Sequence, residues 1–314
     1  MPGKHLSAIR AADAAGIALA AAHLRAGGIV AVPTETVYGL AARADSAAAV
    51  AAVYRAKGRP DFNPLIVHVA DLAAAEKLAQ FDDRARLLVA AFWPGPLTVV
   101  LPRRVDAGLA AAVSAGLPTI ALRCPAHPVM RALLAEAGLP LAAPSANRSG
   151  GVSPTRALHV AKSLGDAAPL ILDGGACSAG LESTIVVLRA DGWQVLRPGP
   201  ISEARIAAVL GSAADVTTSP RIEAPGQLAR HYAPGKPLRL DAQSADQDEY
   251  LIGFGSIAGD YTLSATADLT EAAANLYAAL HAAAEAPHAR IAIAAIPGGE
   301  MGDAINDRLR RAAA

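Results

Sequence analysis

Cysteine, unbalanced charge and long apolar runs are all scarce in this chain of 314 residues. The two cysteines, Cys124 and Cys177, lie far apart and form no CxxC pair, so neither a zinc site nor a disulfide framework is predicted, and a reducing cytoplasmic setting is expected. Lysine plus arginine equals aspartate plus glutamate at 28 each, which leaves no overall field to gather nucleic acid or an anionic membrane. Any anion site must then be local. The longest uncharged run, 107–122, is short for a membrane span and is interrupted by Gly108, Gly116 and Pro118, so no transmembrane helix is expected. The apolar stretch 14–24 could pass for a signal peptide, but Asp13 precedes it and His23 and Arg25 lead straight into a strand-like segment, which argues against export. Phosphate-binding fingerprints are missing too. No GxxxxGK[ST] occurs, which excludes a P-loop fold, and GFGSIAG at 253–259 has the spacing GxGxxxG with no helix to follow.

What is present is an apolar fraction of 53% with only 4% aromatic residues, ample for a sizeable core and for more than one domain. Through residue 211 the pattern alternates between strand-like and helix-like segments. GGIVAVP (27–33) reads as a strand, and Asp45 is placed to cap an alanine-rich helix that Gly58 closes. Strands are predicted at 65–70, 97–102 and 119–125, then over LILDGG, STIVVLR and WQVLRPG; helices are predicted at 72–80, from there to WPGP (93–96), at 128–138 and at 155–164. Some strands are joined by helices and others by short turns, so the expected fold is α/β with a mixed twisted sheet and flanking helices. Residues 212–236, rich in Ser, Thr, Pro and Gly, read as a linker. A smaller αβ unit follows over 237–314, with strands at PLRL, YLIGFG and IAIAAIP, a helix at 269–286 and a terminal helix. The expected division is thus 1–211, 212–236 and 237–314.

The corner YRAKGRPDFNPLIVHV (54–69) raises the functional question, because Lys57 and Arg59 sit where a helix ends and two prolines begin. A cation in a last helical turn is ordinary. Four further corners share its character. PTETVYG (33–39) offers Thr34 and Thr36; PSANRSGGVSPT (144–155) carries Ser145, Asn147, Ser149 and Ser153; LESTIV (181–186) presents Ser183 and Thr184; LRPGP (196–200) presents Arg197. Each alone is a turn with capping hydroxyls. Together they supply cations, hydroxyls, an amide and backbone N–H groups, the ingredients for holding a polyphosphate without a Walker loop.

PTETVYGL, KGRPDFNPLIVHV, WPGPLT, PTIALRCPAHP, APSANRSGGVSPT, LESTIV, LRPGP and HYAP, in that order, resemble the threonylcarbamoyl-AMP synthase family in its long form with a C-terminal extension. The resemblance implies a YrdC-like catalytic core followed by a small Rossmann-like domain. It also implies a reaction in which L-threonine, bicarbonate and ATP give threonylcarbamoyl-adenylate and diphosphate, with Mg²⁺ accompanying ATP. The product would pass to a separate transferase complex that modifies adenosine 37 of tRNA, direct tRNA binding being left open. Carried over position by position, Lys57, Arg59, Ser145 and Asn147 would be the catalytic set. Asn63, Thr119, Ser153 and Arg197 would complete the ATP site. Thr36, His68, Arg123, the backbone of Ala143 and Ser183 would hold threonine, with Arg123 able to clamp its carboxylate. Without the resemblance, His68 in an apolar strand would read as a core histidine satisfied by backbone. Whether any side chain holds the metal is left open. HYAP (231–234) lies in a linker that resembles the family's loop folding over the nucleotide, although Ala229 stands where many relatives carry tyrosine. A double-stranded RNA-binding module is the alternative, disfavoured by the neutral charge. A carbamoyl-transfer enzyme like the hydrogenase-maturation factor sharing this core would need acylphosphatase and zinc-finger-like segments, for which neither the cysteine pattern nor the length leaves room.

Overall fold

The computed structural model describes residues 8–211, 223–226 and 231–314. Ten strands build one mixed sheet in the order β1-β8-β2-β3-β7-β4-β6-β5-β9-β10. These are β1 (Ile9–Ala11), β2 (Val30–Pro33), β3 (Tyr38–Arg43), β4 (Ile66–His68), β5 (Leu97–Pro102), β6 (Thr119–Arg123), β7 (Leu141–Ala142), β8 (Leu170–Asp173), β9 (Thr184–Arg189) and β10 (Gly192–Arg197). Helices α1 (Ala14–Arg25), α2 (Ala47–Lys57), α3 (Leu72–Glu76), α4 (Asp83–Phe92), α5 (Pro128–Ala137), α6 (Ala157–Leu164) and α7 (Glu203–Leu210) connect them. The mixed α/β class expected from the pattern is the one observed.

Helices cover both faces of the sheet. Val30 and Val32 of β2 pack in one cluster with Leu24 of α1 and Met130 of α5, whereas Ala31, one residue on and so facing the other way, packs with Val53 of α2 and Val160 of α6. Strands buried on both faces lose the polar alternation that marks a half-exposed strand, which is why they read as short continuous apolar runs.

One local expectation shifts, the cap of α2, and two stretches the pattern left unassigned become regular elements. Stretch 14–24 is α1, whose N-terminus is capped by the Asp13 side chain accepting from the Gly16 N–H, and it packs on α5. Ser46, not Asp45, caps α2, accepting from the Ala49 N–H; Asp45 is bound bidentately by Arg43 instead. Tyr38 to Arg43, which looks like a turn sequence, is a full strand paired antiparallel with β2.

The smaller unit has a four-stranded parallel sheet in the order β11-β14-β12-β13, from β11 (Leu238–Ala242), β12 (Glu249–Gly253), β13 (Tyr261–Thr262) and β14 (Arg290–Ala294), with α8 (Leu269–Glu285) and α9 (Glu300–Ala313). Its core does not stop at its own border. Leu276 and Ile305 share one apolar cluster with Val37, Val152 and Leu181 of the larger unit and with Tyr232. Beside this contact a cleft of about 620 Å³ lies between the units, with Trp93 and Arg205 on one wall and Thr270 and Met301 on the other. Among the described residues no helix is long and apolar enough to cross a membrane.

Candidate active site

Strand ends and loops from both halves of the large sheet meet around one cavity. The β2–β3 turn is held by Thr34, whose hydroxyl oxygen accepts from the N–H groups of Thr36 and Val37 and lies 2.8 Å from the Thr36 hydroxyl. In the parallel β4–β6 pair His68 stands in register with Arg123, so the last residues of both strands arrive side by side. Short β7 ends next to β4, and the Ala143 N–H donates to the Ile66 carbonyl, which fixes the start of the Pro144 to Asn147 loop. Thr36, His68, Arg123, Ala143 and Ser145 all line the cavity.

On the other side stand Arg59 and Arg197. Gly58 closes α2 in the left-handed conformation at φ 58°, a turn that favours glycine, and this aims the chain so that Arg59 follows at the corner. The Arg59 guanidinium donates to the carbonyls of Asn63 (3.2 Å) and Pro64 (2.9 Å), bracing its own loop. Arg197, last residue of β10, donates through Nε to the Ser183 carbonyl and through Nη2 to the Ser183 hydroxyl, both at 3.1 Å. Lys57 sits just behind, its ammonium donating to the carbonyls of Ser145 and Asn147 at 2.6 Å each.

Among the described residues the hydrogen-bond partners of these three buried cations are carbonyls and hydroxyls, not carboxylates. Burial above all pushes the Lys57 ammonium well below its usual range, with repulsion from Arg59 adding to it. Burial likewise draws Arg59 down to about 10 and lowers Arg197. Glu182, on the same cavity, offsets part of the charge on Lys57 and Arg197, yet three buried cations against one acid leave positive charge in excess, and a bound anion relieves its cost. His68 is pressed down to about 3, first by burial and then by the Arg123 charge, so it is neutral at physiological pH. Its Nδ1 is buried without a partner, as are Oδ1 of Asn63, Oδ1 of Asn147 and Nδ1 of His231. Buried polar atoms normally find partners, so the unpartnered ring nitrogens of His68 and His231, both on the cavity wall, are placed to receive a ligand.

The remaining expected residues are near but stand back from the cavity surface. Asn147 uses its amide N–H groups on the Arg148 and Gly151 carbonyls. Ser183 bonds Thr98 and Arg197, and Ser153 donates to Glu182. Thr119 opens β6 at the end away from Arg123 and is not brought to the cavity.

Two acids escaped the sequence reading. Glu35 accepts from Arg123 Nη2 at 2.7 Å and from the Ala126 N–H, and although burial would raise its carboxyl, Arg123 holds it below the ordinary range. Glu182 lines the cavity itself. A usable signal was present: each is a lone acid directly before a hydroxyl residue within a corner already singled out, PTETVYG and LESTIV, and a carboxylate buried there requires a cation. The linker also reaches the site. Pro225, Gly226, His231 and Tyr232 wall the cavity, leaving about 50 Å³ free. At Gly226 (φ +86°) an added Cβ would lie 2.8 Å from Arg197 Cδ, so the linker backbone rests against that arginine. Ala229 lies outside the described residues.

Comparison with known proteins identifies the family and the fold. Residues 22–199 match the family model described as telomere recombination, and residues 201–314 match the C-terminal domain model of threonylcarbamoyl-AMP synthases. The threonylcarbamoyl-AMP synthase of Bacillus subtilis is 42% identical over 95% of this chain and 92% of its own length. P. abyssi Sua5, solved in complex with L-threonine, superposes with a TM-score of 0.86 at 36% identity, covering 95% of this chain and 94% of that one. A full-length HypF solved in its phosphate- and nucleotide-bound form shares the fold at TM-score 0.53 and 22% identity, over 60% of this chain and 30% of its own.

Proposed function

The chain belongs to the threonylcarbamoyl-AMP synthase family, and from that membership we propose how its cavity makes threonylcarbamoyl-AMP for tRNA modification. The observation that carries the assignment of the site is the meeting of Arg59, Arg197 and Ser145 with Thr36, His68 and Arg123 around one cavity. Cations that outnumber the one acid among them suit a polyphosphate; the neighbouring niche of hydroxyls, a neutral imidazole and a guanidinium suits an amino acid.

The substrates are L-threonine, bicarbonate and ATP, with diphosphate leaving. A carbamate oxygen that attacks the α-phosphate brings anion to anion, so the protein contributes positioning and charge neutralisation rather than a nucleophile. Arg59 and Arg197 face the phosphates, and Lys57 acts by holding the Ser145 and Asn147 carbonyls in place while its charge lies just behind them. Asn63, Asn147 and Ser153 shape the nucleotide half from the second row, and Thr119 serves only if the nucleotide extends to the far end of β6. Arg123 takes the threonine carboxylate, braced by Glu35. His68, Thr36, the Ala143 backbone and Ser183 complete that niche.

Mg²⁺ entering on ATP suits the oxygens present. The Ser145 hydroxyl on the cavity wall is a hard donor of the kind it takes, and it would neutralise phosphate charge there. About 50 Å³ is far below the roughly 300–1,000 Å³ of small-molecule pockets. Pro225, Gly226, His231 and Tyr232 therefore act as a cover that lifts to admit ATP. The double-stranded RNA module gains no support from these relatives.

The test is diphosphate release by the purified chain with ATP, Mg²⁺ and bicarbonate, with and without L-threonine. Release that depends on threonine is expected; release indifferent to it removes the amino-acid niche from the assignment.

A further inference from the structure

Arg308 belongs to α9 of the smaller unit, yet it is fully buried against three stretches that wall the cavity of the larger one. Its Nε donates to Glu182 Oε2 at 2.9 Å, and its Nη2 donates to the carbonyl of Pro198, the residue after Arg197, also at 2.9 Å. Its guanidinium carbon lies 5.3 Å from the centre of the Tyr232 ring. Nη1 is occupied by Asp307 at 2.7 Å. Tyr277 of α8 donates to the same Glu182 oxygen at 2.8 Å, while Ser153 donates to the other at 2.6 Å.

Glu182 is the group that needs an account. It lines the cavity together with Arg59 and Arg197, where a carboxylate would repel a polyphosphate and compete with it for Arg197. Burial would raise its carboxyl, but Arg308 first and Arg197 second hold it down to about 2, so it is charged at any ordinary pH. Every bond recorded for its side chain goes to Ser153, Tyr277 or Arg308, and two of these three donors come from the smaller unit. Arg197 meanwhile spends its bonds on Ser183. One oxygen of this acid is therefore held from within the nucleotide half, by Ser153, and the other from the smaller unit, by Tyr277 and Arg308.

We propose that Arg308 is a positioning residue for the nucleotide half of the site: by satisfying Glu182 and fixing the Pro198 carbonyl, it leaves Arg197 directed at phosphate instead of at Glu182. Tyr277 supports it. This makes the smaller unit part of the ATP site although none of its described residues lines the cavity. The inference rests on the nucleotide reading above.

Arg308→Met would strand a buried carboxylate, and the nearest remaining cation to capture it is Arg197. The expected result is at least a tenfold weakening of ATP, in KM and in calorimetric Kd, with the threonine KM within about twofold of the parent. Adding Glu182→Gln removes the competing charge and should recover most of the ATP affinity, which a merely structural arginine would not allow. Equal loss toward ATP and threonine, or no recovery in the double variant, overturns the proposal. Should Arg308→Met fail to fold, Tyr277→Phe keeps the ring packing and deletes one donor; about threefold weaker ATP binding with threonine unchanged is expected, and an unaltered ATP constant overturns it. A parent protein that binds no ATP would sink the nucleotide reading. The pairing of Arg308 with Glu182 is then still read from urea unfolding of the single variants, or of Tyr277→Phe with Glu182→Gln, and additive destabilisation overturns it.

Discussion

The Lys57 ammonium donates to the main-chain carbonyl of Ser145 at 2.6 Å, and by the same distance to that of Asn147, tying the end of α2 to the loop that carries both residues. Lys57→Met strands two buried acceptors, each worth about 1–3 kcal/mol. We expect a lower urea midpoint together with loss of diphosphate release. A lysine serving phosphate alone would lose activity and keep the midpoint.

Arg197→Ala and Arg59→Ala remove cations whose recorded partners are neutral. Turnover should fall by about 10²–10³-fold, the scale of a lost transition-state donor, and the thermal midpoint should fall as well, since each change also takes a donor from two buried acceptors. Steady-state kinetics beside calorimetric unfolding makes the comparison, and unchanged turnover removes that arginine from the site.

Valine differs from threonine by a methyl in place of the hydroxyl. A niche built around the Thr34–Thr36 hydroxyl pair should discriminate against it by at least about 10²-fold in kcat/KM, since a buried hydroxyl deprived of its partner is costly. Thr36→Val should narrow that ratio. Equal rates for the two amino acids would count against the pocket.

Acid should unfold the protein from a pH higher than carboxylates alone would set. His68, His159 and His231 are each pushed from 6.5 to about 3, foremost by burial. Below pH 6.5 the unfolded chain takes up protons that the folded one refuses, so stability falls as pH drops toward about 3, by at most about 1.4 kcal/mol per pH unit for each histidine. Glu182, lowered from 4.5 to about 2, stabilises above its unfolded value and gives that up between about 4.5 and 2. Urea unfolding at pH 7.5, 6 and 5 reads the slope. His159→Gln, on the His281 stack away from the cavity, should flatten it by one proton's worth.

Most of the strand pattern could be read from local apolar runs: β5 spans 97–102 and α5 runs from Pro128 to a glycine cap, as the sequence predicts. Strand β3 could not, because YGLAAR carries a glycine and pairs with both β2 and β7 by tertiary contact rather than propensity. The cluster of cations and hydroxyls was visible in five separate corners, yet the division of labour among them was not. Lys57 faces carbonyls that lie roughly ninety positions away, and Glu182 meets its arginine 126 positions along the chain. No window of periodicity or capping rules reaches that far.

The cleft between the units carries a consequence for observing the protein at work. Of two tryptophans, Trp193 is buried in the main core and Trp93 borders the cleft, its indole N–H on the Leu97 carbonyl. Selective excitation therefore gives a native optical gauge: Trp93 follows the gap between α4 and the N-terminal turns of α8 and α9, while Trp193, whose indole N–H donates to the Gly211 carbonyl, follows the start of the linker. In Trp193→Phe only Trp93 emits, and a wavelength that ATP leaves fixed there means that the gap keeps its width.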